Sequence, residues 1–148
     1  EIDVLYSSGD QLEQLFRSGE VAMGIAYNGR AFALSSGEGG DDLDMQTSWE
    51  GAVYNPTMLV VYKDSPNPAA AFAYLEWVAS HPDVAVEYSE TSTYGFPNQA
   101  IFDSIDPALG AWLPENPAHF DRRIELNYDW YQQNKQEVDD RWVEFTTG

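Results

Sequence analysis

Three observations predict an α/β fold for this sequence. The stretch GEVAMGIAYNG (19–29) carries small or apolar side chains on both faces, Val21, Met23 and Ile25 against Ala22, Gly24 and Ala26, and runs into an aromatic residue and an Asn-Gly turn. That pattern belongs to a strand covered on both sides, as in a parallel or mixed sheet flanked by helices. A second β-rich run, GAVYNPTMLVVY (51–62), and strong helical patterns near 67–80 and 127–145 complete the alternation.

The elements follow in order. Asp10 and Glu13 stand at capping-box spacing, Leu12, Leu15 and Phe16 recur at helical period, and Gly19 is a fitting stop. A short amphipathic helix is therefore expected to feed a buried strand over Glu20–Ala26. A second short helix is expected over Arg30–Leu34, then an exposed acidic loop, SSGEGGDD, and a brief strand at Leu43–Met45. Asn55-Pro56 splits the next run, because proline cannot donate to a ladder; one piece ends near Tyr54 and a buried strand spans Thr57–Tyr62.

Asn67 as N-cap and Pro68 at the first position open the clearest helix, whose stripe is Ala71, Phe72, Leu75, Val78 and Ala79. Pro82 ends it and starts another through about Glu90, and Thr91–Asn98 is a loop of turn residues around two aromatics. One or two helical turns follow over Asn98–Ile105, then an irregular stretch with three prolines over Asp106–Pro117. In the final helix, from about Asn127 to Phe145, the residues Trp130, Asn134, Val138, Trp142 and Phe145 share one face, which predicts docking on a body. Two or three strands make too small a sheet for six or so helices, so further strands are expected from elsewhere.

The length of 148 residues allows one ordinary domain or roughly half of a two-lobed protein. With 43% hydrophobic and 14% aromatic residues the composition is globular despite its charge. Twenty-five acids against seven Lys and Arg, a formal net of -18, exclude nucleic acid as a partner, since a polyphosphate needs a basic footprint. The same field draws cationic ligands toward a cleft, within the ~8 Å that physiological salt permits. Only Lys63 and Lys135 are lysines, so the acidity also fits adaptation to salty surroundings. No cysteine is present, which excludes disulfides and thiol chemistry. No window approaches the ~18 apolar residues of a membrane span, and EIDVLYSSGD is not a signal sequence. A chain opening on Glu1 reads as a processed product or a piece of something longer.

Little points to an enzyme. His81 and His119 both sit beside prolines at helix boundaries, where capping or surface roles are expected, and there is no nucleophile elbow, phosphate loop or HExxH motif. Glu38, Asp41, Asp42 and Asp44 cluster in a glycine-rich loop that lacks the pattern of a helix-loop-helix calcium site; it reads as a solvated loop or a weak cation site. More telling are the aromatics at element ends. Tyr27 precedes Asn28-Gly29, Trp49 precedes Glu50-Gly51, Tyr54 precedes Asn55-Pro56, and Tyr94 precedes Gly95. Core aromatics usually lie inside elements, whereas four at breaks, with carboxamides nearby, describe a ligand cleft able to stack on a flat or cationic group.

In this order, aromatic-Asn-Gly after a strand, Glu50-Gly51, a strand followed by an N-x-x-A-A helix (Asn67–Ala71), the Pro82-Asp83 helix start and the Tyr-Gly-x-Pro-Asn loop (Tyr94–Asn98) look familiar. The chain from about Glu20 resembles the carboxy-terminal half of the substrate-binding proteins of ABC importers, in the branch that includes the spermidine/putrescine-binding proteins. The resemblance implies an α/β, helix-rich portion of a two-lobed periplasmic-binding-protein-like (type II) fold, with few strands of its own. Residues 1–52 and 107–148 would then belong to the second lobe, and 53–106 to the first with its hinge crossings. The amino-terminal half would be absent, and a complementary half or a second copy would complete the fold.

The resemblance further implies a small-molecule solute, polyamine-like or another small organic molecule, a membrane ABC permease as partner, and no catalysis or cofactor. It places the protein in the periplasm or outside the cell, with a possible membrane anchor in the absent part. Tyr27 matches an aromatic that stacks on the ligand and Tyr94 a tyrosine of the cleft. Another aromatic and a carboxylate fall near Asn55 and Thr57, with Tyr54 able to replace that aromatic by a one-residue shift. An acid is missing at Thr57, which weakens the case for an ammonium-bearing solute. The ligand-binding set is thus Tyr27, Asn28, Trp49, Tyr54, Asn55, Thr57 and Tyr94. Competing readings are a carbohydrate-binding or adhesion module, normally a β-sandwich, a glycosidase fragment using Glu50 or Glu90, and a ferric-iron binder using Tyr27, Tyr54 and Tyr94.

Overall fold

Helix α1 (Gly9–Arg17) begins at Ser8, whose hydroxyl accepts from the Gln11 amide, while the Gln11 carboxamide accepts from the Ser7 amide. The expected cap at Asp10 is displaced because Asp10 and Glu13 face Arg30, whose guanidinium bonds both. Leu12 and Leu15 are the buried face of this helix. A computed structural model describes residues 2–37 and 43–147 of the chain. Within it α2 (Asn28–Ser35) starts two residues earlier than expected and buries Ala31 and Leu34. Most of the SSGEGGDD loop lies outside the described residues.

The predicted strands are where the structure departs from expectation. Glu20–Ala26 forms no strand, and Met23 and Ile25 are each 88% exposed, so the expectation of burial on both faces fails. On the other face Ala22 and Gly24 are exposed too, although Phe16 and Leu12 of α1 approach Gly24, and Tyr6 donates to the Ile25 carbonyl at 2.9 Å. Leu43–Met45 is irregular, and Thr57–Tyr62 forms no strand and is unpaired, with Val60 and Tyr62 both 80% exposed. The reason is common to all three. A β pattern becomes a strand only when another backbone takes up its N–H and C=O groups, and among the described residues none lies alongside. Among the described residues the one ladder that forms is minimal, β1 (Val53–Tyr54) beside β2 (Ile124–Glu125), parallel, with Val53 opposite Ile124.

The helices follow the sequence more closely. Prolines at the first position open α3 (Pro68–Ser80) and α4 (Pro82–Ser92), although Asn67 makes no side-chain cap bond. A 3-10 segment spans Gln99–Asp103, capped by Asn98, and the proline-rich stretch expected to be irregular folds into a short α5 (Pro107–Gly110) and a 3-10 turn (Pro117–His119). The final helix, α6 (Tyr128–Thr147), forms at full length, but none of its residues is buried. Its expected docking is thus not met within this chain. Trp130, Trp142 and Phe145 stand 55–57% exposed.

The core is built by α4, the 3-10 segment and α5: Ala85, Ile101, Ile105, Leu109 and Leu113, with Phe32, Val86, Phe96 and Phe102 packed against them. Around it helices dominate, which contradicts the β-sandwich that a carbohydrate-binding or adhesion module requires. Among the described residues no helix is long and apolar enough to cross a membrane.

Candidate functional site

Prolines 114 and 117 keep the backbone after α5 from continuing as a helix, so its carbonyls must find partners elsewhere. Four successive carbonyls are met by four side chains from different parts of the chain. Trp112 O accepts from Asn28 Nδ2 at 3.3 Å, Leu113 O from His119 Nδ1 at 2.9 Å, Pro114 O from Arg123 Nη1 at 3.1 Å, and Glu115 O from Gln99 Nε2 at 3.2 Å. Since a carbonyl only accepts, His119 carries a proton on Nδ1. Leu113 itself is fully buried in the core.

On this rail lean most of the residues singled out in the sequence. Asn28, the first residue of α2, also donates to Thr93 O at 3.3 Å, which ties the Tyr27–Gly29 turn to the end of α4. There Thr93 is left-handed at φ 60°, a conformation a β-branched residue rarely adopts, and it turns the chain into Tyr94. Gly29 admits this approach: a Cβ on it would lie 2.6 Å from Thr93 Oγ1 and 3.1 Å from the Tyr94 ring. Tyr27 and Tyr94 flank the junction with 63% and 37% of their surface exposed.

The other aromatics reach the rail through its partners. Trp49 stacks on His119, ring centroids 3.9 Å apart and 14° from parallel. Tyr54, in β1, lies under the Arg123 guanidinium at 4.0 Å from the ring centroid, and Phe120 covers the same cation at 4.4 Å. Further out, Asn55 accepts from the Tyr128 hydroxyl at 2.9 Å, and Thr57 is exposed on the unpaired run. Asn28, Trp49, Tyr54 and Tyr94 are thus brought together, Tyr27 adjoins them, Asn55 lies at the margin and Thr57 stands apart.

Electrostatics single out His119, Tyr54 and a residue that sequence reasoning passed over, Glu115. Burial pushes the His119 imidazole below its ordinary value, with the Leu113 bond opposing and the Arg122 charge assisting. His119 is therefore a packed, neutral support and not the surface cap expected of it; His81 does close α3, its Nδ1 against Trp77 O at 2.6 Å. Burial likewise raises the Glu115 carboxyl, an effect its own amide, Arg123 and the Tyr54 hydroxyl oppose. Tyr54 is raised too, by burial first and then by Glu115. Among the described residues no three of His, Asp and Glu gather as a metal site, and Glu38, Asp41 and Asp42 lie outside them.

Glu115, Arg123 and Trp112 escaped the sequence because nothing periodic marks them; His119 stands out there, but only as a capping or surface residue among closely spaced prolines. Two hollows of about 270 and 260 Å³ are open dents beside α5, lined by residues such as Phe102, Pro107 and Leu109, away from Tyr27 and Tyr94.

The sequence model of the bacterial extracellular solute-binding protein family matches residues 2–120, which include all seven predicted site residues. The chain belongs to that family. It is 27% identical over 137 residues, 93% of its length, to the gamma-aminobutyric acid-binding protein of Pseudomonas aeruginosa, and 29% identical over 94 residues, 64% of its length, to the spermidine/putrescine-binding periplasmic protein of Salmonella typhimurium. It spans only 38% and 26% of those two proteins. No solved structure matches it at a comparable level.

Proposed function

We propose that this chain is part of the solute-binding component of an ABC importer, which holds a small organic solute between two lobes outside the cytoplasmic membrane and hands it to a permease without transforming it. In this reading residues 53–106 belong to one lobe and 1–52 with 107–148 to the other, of a type II two-lobed fold. A complementary amino-terminal portion supplies the missing strands and the facing wall. The bare β-patterned runs and the undocked α6 are what such a portion would cover.

The observation that carries this reading is the convergence of Asn28, Trp49, Tyr54 and Tyr94 on the Trp112–Glu115 rail. A rigid base under partly exposed aromatics suits stacking on a solute, whose preference for the closed state then shifts an open-closed equilibrium. One flat aromatic contact contributes ~0.5–2 kcal/mol, so Tyr27→Ala in the complete protein should weaken solute binding about tenfold. Titration calorimetry returning an unchanged affinity would remove Tyr27 from the cleft.

A further inference from the structure

Among the described residues Thr93 alone, apart from glycines, has a positive φ, 60° with ψ 17°. In that region the Cβ crowds the following carbonyl, most of all when it is branched, and helices that end this way usually do so on glycine or asparagine. The same helix end carries a second unfavourable feature. Ser89, one turn back, is wholly buried and its hydroxyl has no partner. Conformations of this kind persist only where the surroundings over-determine them, and they gather at ligand clamps and switches.

Backbone groups make most of the ties at this corner. The Thr93 N–H donates to Ser89 O at 2.8 Å, its carbonyl accepts from Asn28 Nδ2 at 3.3 Å, and the Tyr94 amide donates to Ser92 Oγ at 3.2 Å. A glycine at 93 would keep all three without strain. What the threonine adds is its side chain. Its hydroxyl donates to Ser92 O at 2.7 Å, and Oγ1 lies against the bare face of buried Gly29, where a Cβ would come within 2.6 Å of it and 3.1 Å of the Tyr94 ring. Thr93 and Tyr94 thus share one seat, on the turn that carries Tyr27. We propose that Thr93 is a positioning residue for solute binding: pressed on Gly29, its side chain fixes the Tyr94 ring against the Tyr27–Gly29 turn, so that both aromatic faces are set before the solute arrives. Binding then does not have to order either ring. This rests on the solute-binding reading above and adds to it a residue that is neither aromatic nor in contact with the solute.

The test is titration calorimetry and thermal melting on the complete protein, with 4-aminobutyrate, spermidine and glucose as probe solutes, for wild type, Thr93→Gly and Thr93→Ser. Glycine carries no left-handed penalty, so Thr93→Gly should melt no lower than wild type. It should nevertheless bind whichever probe the wild type binds about fivefold to tenfold more weakly, because Tyr94 is no longer held. Thr93→Ser keeps the hydroxyl bond to Ser92 O and should stay within about threefold of wild type. The divergence of stability and affinity is the signature, since a residue that only holds the fold moves both together. Unchanged affinity in Thr93→Gly overturns the proposal and leaves the solute-binding reading standing. So does a Thr93→Gly that melts lower and binds more weakly in step, which would make Thr93 a structural tie alone. A wild type that binds none of the three probes overturns the solute-binding reading and this proposal with it.

Discussion

Trp112–Glu115 and Thr57–Tyr62 are both stretches of non-helical backbone without a ladder, yet they sit in opposite circumstances. In the first, four consecutive carbonyls are met by side chains drawn from as far as 84 residues away, and Leu113 is wholly buried. In the second, Met58, Leu59, Val60 and Tyr62 are 64–80% exposed. The contrast shows which part of the molecule this chain completes by itself. Side chains can satisfy a short irregular segment one carbonyl at a time, whereas an apolar β run needs a second backbone along its length.

Truncation at each site measures the difference. Leu113→Ala should cost about 2–5 kcal/mol of unfolding free energy, because a large side chain leaves a packed interior. Val60→Ala should change the chain alone by less than about 0.5 kcal/mol. In the complete protein, where a facing strand is proposed, the same change should cost about 1–2 kcal/mol through lost burial. Urea titrations followed by circular dichroism give both numbers. A large Val60 effect in the chain alone would mean that the run is already covered, and the contrast would collapse.

The next effect probes how the cleft is held to the rail. Gly29→Ala puts a methyl into Thr93 and Tyr94, and overpacking of this kind typically costs about 1–3 kcal/mol. Met23→Ala, on the bare run just upstream where Met23 is 88% exposed, is the control and should be milder. If the two variants unfold at the same urea concentration, the Tyr27–Gly29 turn is not anchored as described.

What the sequence made legible follows from the range of the interactions. Pro68, Pro82 and the apolar stripe of α3 are local signals, and α3 and α4 appear with the expected starts. The aromatic-Asn-Gly turn was legible as an element boundary because Asn-Gly acts within three residues. Strands over 20–26 and 57–62 were legible as patterns only; their existence depends on partners that this chain does not bring alongside. The rail was illegible for the opposite reason. Prolines mark where regular structure ends, but nothing in their spacing says that Arg123 will meet Pro114 O or that Glu115 will lie against Gly95. Thr57 was singled out by strand alignment, and it fell away with the strand.

The smallest expected effect concerns the support under Trp49. Burial holds the His119 imidazole below its ordinary value in the folded protein, so the unfolded chain takes up a proton more readily. Its contribution to stability is therefore complete above about pH 6.5 and is lost as pH falls through the folded value. Glu115, raised by burial, acts in the other sense, favouring the fold as it becomes protonated at lower pH. The many exposed acids add a background slope, so the informative quantity is wild type minus His119→Gln, since glutamine can still donate to Leu113 O but does not titrate. Between pH 8 and 5.5 the wild type should lose more melting temperature than the variant. Parallel curves would show that His119 is not the buried neutral post on which Trp49 rests, and the rail would keep three of its four side-chain partners as structural ties.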